Sequence, residues 1–126
     1  MKPKLMLTIG GVLAVLFGLA LTFAPDAMMT SFGLKPDAAG AVLSRDLGVT
    51  LVAIGAMNLL ARNAGPGPAL SAILWANLLV QAVQIFTDAY HITSGQIASS
   101  GWGGVGLHVV LGAGFALALA RPDKAL

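Results

Sequence analysis

The chain contains no cysteine, no glutamate and only two histidines. Without cysteine there is no disulfide framework and no thiolate metal site. His91 and His108 are not an i, i+4 pair, so the helical zinc-ligand pattern is missing as well. At most a bis-histidine haem remains, and the expectation is that no metal and no cofactor is bound. Charge is also scarce. Only 10% of the residues are charged, where a soluble domain carries roughly 25%. The 126 residues suffice for one domain. At 57% hydrophobic residues and a mean hydropathy of +0.87, its expected solvent is a lipid bilayer. The pI of 9.4 rests on seven Lys and Arg. Five of them sit at or near expected helix ends, and no basic patch carries interleaved aromatics, which excludes nucleic acid as a partner.

What is present is a set of four apolar runs. Lys2 and Lys4 precede the first, residues 5–24. A signal-peptide core is usually ~7–15 residues. This run instead matches the ~20 needed to cross ~30 Å of hydrocarbon, so it is expected to be a retained span. Thr8, Gly11, Val15, Gly18 and Thr22 make a heptad-spaced seam of mostly small residues, which lets helix backbones approach closely in lipid. Pro25-Asp26 ends the run. Residues 27–40 read equally as an interfacial helix or a loop. The second span covers residues 41–61, with Ser44, Gly48, Leu51, Gly55, Asn58 and Arg62 on one stripe. The segment from Arg62 to Pro68 breaks it, and spans follow at residues 69–91 and 102–120. The fold class expected is all-α, an antiparallel transmembrane four-helix bundle. Lys2, Lys4, Arg62, Arg121 and Lys124 fall on one side and Lys35 and Arg45 on the other. The excess of cations puts both termini in the cytoplasm, and a bacterial inner membrane is the expected location.

The third span organises the rest. Asn77, Gln81, Gln84, Asp88 and His91 recur at steps of 4, 3, 4 and 3, which on an α-helix is one polar stripe among Leu, Val, Ile and Phe. Such a stripe must face other helices or a wet cavity. The topology brings Arg45, Asp46, Gln84, Asp88, His91 and His108 to similar depth in the outer half, with Asn58 and Asn77 in the inner half. Asp88 and His108 are then the acid–base candidates. Arg45 and Asp46 are their electrostatic neighbours. Gln81, Gln84, Asn77, Asn58, His91 and Trp102 are the candidates for ligand binding.

Each candidate also has a plainer role. Arg45, Asp46 and Asp88 fit a structural ion pair or interface anchors. Asn77, Gln81 and Gln84 fit interhelical hydrogen bonds that fix packing, and His108 a packing role. His91 fits the membrane surface, Trp75, Tyr90 and Trp102 an interfacial belt, and Asn58 and Arg62 caps or anchors. No nucleophile elbow, kinase pattern or dinucleotide fingerprint is present.

The four spans, the Arg at the start of the second (Ser44-Arg45-Asp46-Leu47-Gly48), the glycine seams and the late acidic residue Asp88 resemble the DoxX-like small bacterial membrane proteins. That resemblance implies a four-helix membrane protein, among whose relatives are accessory subunits of respiratory complexes. A more distant likeness to the EXPERA sterol-isomerase-like group implies an intramembrane pocket for a lipophilic ligand, with Asp46, Asp88 and His108 as its polar residues. The sequence therefore points to three functions. The first is a lipophile-binding protein, or an acid–base enzyme such as an isomerase, cyclase or epoxide opener. The second is an accessory subunit packing on a partner or a second copy, and the third a proton or small-solute pathway.

Overall fold

The computed structural model describes residues 2–120, and all of its regular structure is helical. Arg121 and Lys124, used above for topology, lie outside the described residues. The elements are α1 (Pro3–Phe23), α2 (Pro25–Ser31), α3 (Ala38–Ala61), α4 (Pro68–Thr93), a 3-10 turn (Ser99–Gly101) and α5 (Trp102–Ala120). Four segments are long and apolar enough to cross a membrane, as fits a multi-pass integral membrane protein.

The helix boundaries follow from local chemistry. Pro3, Pro25 and Pro68 each stand at the start of a helix, where the missing N–H has no intrahelical partner to lose. Asp37 caps α3 by accepting the Gly40 N–H at 2.6 Å. Residues 27–40, left open between helix and loop, divide into both. α2 is a helix of 7 residues with Asp26 in its first turn, where a carboxylate complements the helix dipole. Gly33, at φ 74°, ends it. There a Cβ would lie 2.8 Å from that of Ala98, whose N–H donates to Phe32 O at 2.9 Å. This contact ties the end of α2 to the segment leading into α5. The 26 residues of α4 extend about 39 Å at 1.5 Å per residue. That exceeds the ~30 Å apolar layer, so the helix is long enough to span it even when tilted.

Close backbone approaches concentrate in two helix pairs, α1 with α3 and α4 with α5. In the first pair, an added Cβ at Gly18 would fall 2.6 Å from Gly48 O, and one at Gly55 would fall 2.7 Å from Gly11 O. Only glycine fits where two helix backbones lie this close. The pairs are joined through α1 and α5. Phe115 is fully buried against Gly10, and Met6 lies over Gly114. The buried apolar cluster of Met6, Leu7, Leu70, Leu74, Leu111, Phe115 and Ala118 sits around this junction. On the outside, Leu60, Phe23 and Phe86 are 84, 80 and 76% exposed, a costly surface in water and a normal one in lipid.

Candidate functional site

The polar stripe of α4 divides into two layers. In the deeper layer, Asn58 of α3 and Asn77 of α4 are buried and exchange two hydrogen bonds. Asn58 Nδ2 donates to Asn77 Oδ1 at 2.8 Å, and Asn77 Nδ2 returns one to Asn58 Oδ1 at 2.8 Å. Asn77 Nδ2 also donates to Ile73 O at 2.9 Å. The two amides thus satisfy each other, as buried polar groups must.

The second layer joins α4 to α5. His108 Nδ1 lies 2.6 Å from Gln81 Oε1. An amide oxygen only accepts, so Nδ1 carries the hydrogen and donates it. Nε2 then faces Asp88 Oδ2 at 3.6 Å. The other carboxylate oxygen, Oδ1, accepts from Gln84 Nε2 at 2.7 Å. Gln81, His108, Asp88 and Gln84 therefore form one chain of polar contacts. The step of four residues along α4 puts Gln84 and Asp88 side by side. On α5 the same step sets glycines on either side of the histidine. A Cβ at Gly112 would meet that of Gln81 at 3.4 Å, and one at Gly104 would meet Asp88 Oδ2 at 3.9 Å. Both are ordinary contact distances, so α5 lies close along α4 on either side of the histidine. The side chains of His108 and Asp88 are 24% and 19% exposed, so the dyad is sheltered but reachable.

No family model, curated protein or solved structure matches the chain. The chemistry of the site therefore rests on its own geometry. An ionised carboxylate in hydrocarbon costs roughly 2.5–3.5 kcal/mol on insertion scales. Gln84, which donates to Oδ1, offsets part of that cost for Asp88. The 3.6 Å gap between Nε2 and Oδ2 is longer than a good hydrogen bond, so the two groups face each other without a direct bond. With Nδ1–H held by Gln81, the lone pair of a neutral imidazole is on Nε2 beside the carboxylate. That is the arrangement of a general base with an orienting partner.

The remaining candidates lie apart from the dyad. Arg45 and Asp46 are exposed on α3 and make no ion pair among the described residues. Arg45 instead borders a cavity of about 320 Å³ with Asp26 and Asp37. His91 Nδ1 contacts Gln96 Oε1 at 2.5 Å in the turn after α4, and its ring meets Tyr90 edge-on. Trp102 is about half exposed at the start of α5. Sequence reasoning did not foresee Gln96 as the partner of His91.

Proposed function

We propose that the protein binds a lipophilic molecule at the His108–Asp88 dyad and acts on it by acid–base chemistry, as an isomerase, cyclase or epoxide-opening enzyme would. The observation carrying this reading is the His108 ring, held by Gln81 and turned with Nε2 towards Asp88 in a partly open setting. A polar group of the ligand would approach Nε2 and Oδ2 from their exposed side, and the apolar flanks of α4 and α5 would hold its body. We further propose an antiparallel four-helix bundle with both termini cytoplasmic, in a bacterial inner membrane. The facing pairs Gly11 with Gly55, Gly18 with Gly48 and Asp88 with Gly104 support it. Kinship with the DoxX-like group, and a remoter one with the EXPERA group, belongs to the same proposal.

The test is native mass spectrometry of gently extracted protein, followed by identification of retained apolar molecules. A species retained by the wild type and lost from both Asp88→Asn and His108→Gln is the expected result. Equal retention by all three, or none by the wild type, would refute the reading. The accessory-subunit alternative draws on a different fact. Neither of the two cavities described here reaches the dyad, so a partner helix could cover its open side. A stoichiometric second chain in the same spectra would favour that alternative. The pathway reading has the least support. The inner layer offers only the amides of Asn58 and Asn77, which do not titrate near neutral pH.

A further inference from the structure

The end of the molecule remote from the dyad holds a cavity of about 370 Å³. It opens where α1 and α4 begin and where α3 and α5 end. Lys4 and Arg62 are exposed on its wall, with Asn63 and Ser71 beside them. Its floor includes Leu70 and Leu74, both buried members of the apolar cluster. No carboxylate lines it among the described residues. The cavity at Arg45 differs in this respect, since Asp26 and Asp37 border it and balance its cation.

We propose that this cavity is a binding site for the headgroup of an anionic phospholipid. Two cations brought from separate segments, two neutral hydrogen-bonding side chains and an apolar floor match a phosphate joined to acyl chains. A soluble anion would have no use for the floor. The location fits too, because the cavity sits at the ends of helices that are long and apolar enough to span a bilayer, the depth at which headgroups lie. Basic pockets between membrane helices recognise lipid headgroups in this way. The volume is at the small end of ligand sites, enough for a headgroup with the chains left in the bilayer. The proposal is independent of the dyad.

The experiment is a lipid titration of the full chain in detergent, read by native mass spectrometry. The probes are phosphatidylglycerol and phosphatidylcholine of identical chains. Phosphatidylglycerol is expected to bind more tightly. Lys4→Gln and Arg62→Gln should each weaken it about fivefold, and together about 25-fold, as for ~1 kcal/mol per basic residue near an anionic surface. Lys35→Gln is the control and should change nothing. Both target side chains are exposed, so the variants should fold, and unchanged helicity would verify it. Equal affinity for the two lipids, or equal effects of the target and control substitutions, would overturn the proposal. So would displacement of phosphatidylglycerol by millimolar inorganic phosphate, which would mark the cavity as a site for a soluble anion.

Discussion

Replacing one member of the Asn58–Asn77 pair should cost more than replacing both. Asn77→Leu would strip Asn58 of both its partners, leaving a buried carbonyl and a buried amide unsatisfied. Asn58→Leu would do less harm, because Asn77 Nδ2 keeps its bond to Ile73 O and only Oδ1 is orphaned. An unsatisfied buried group costs about 1–3 kcal/mol. That gives roughly 2–6 kcal/mol for Asn77→Leu and about 1–3 kcal/mol for Asn58→Leu. The double variant removes both amides and both bonds. Interhelical bonds in bilayers average ~0.6 kcal/mol, so its cost should be near ~1 kcal/mol. The double-mutant cycle should then show a coupling of about 2 kcal/mol or more. Reversible unfolding by SDS in mixed micelles, followed by helicity, would measure all four proteins. Additive costs, or equal costs for the two single variants, would refute the reciprocal geometry and the account of the stripe built on it.

Gly18→Leu and Gly48→Val should destabilise by at least 1–3 kcal/mol in the same assay, since each drives side-chain atoms into a facing backbone oxygen. Gly106→Ala, where nothing lies within 4 Å, should be neutral or stabilise by up to ~1 kcal/mol through helix propensity. Gln81→Leu should release the His108 tautomer. In ¹⁵N spectra of the imidazole, the wild type is expected to carry its hydrogen on Nδ1 and the variant to show a mixture; an unchanged spectrum would remove Gln81 from its orienting role. Arg45→Gln should leave ligand retention at the dyad unaltered, and a loss as large as that from Asp88→Asn would tie Arg45 to the site after all.

The four long helices were legible because hydropathy, proline and glycine all act locally. The seam of Gly11, Gly18, Gly48 and Gly55 was legible for a related reason, since heptad spacing of small residues has few other uses within apolar helices. The identity of partners was harder. Charge placement gave Arg45 and Asp88 a common depth, but depth is only one coordinate of a residue in a bundle. Gly48 turns its face of α3 towards α1 rather than α4, and Arg45, three positions earlier, lies only about 60° around the helix from it. Arg45 therefore emerges on the exposed surface while Asp88 meets α5. Asn77 was given both a ligand role and an interhelical packing role, but spacing alone did not name Asn58, on another helix, as its partner. Residues 27–40 were ambiguous because 7 helical residues give too few turns for a periodic signal to stand out.

One feature of the packing bears on biogenesis. α3 and α4 are neighbours in the chain, yet the close backbone contacts lie within the α1–α3 and α4–α5 pairs. Each pair can close from its own stretch of polypeptide, so the first half can be finished while the second is still being synthesised. Joining the halves is then a late step, made by the apolar contacts of α1 with α5 and by two carboxamides that have no water to compete for them.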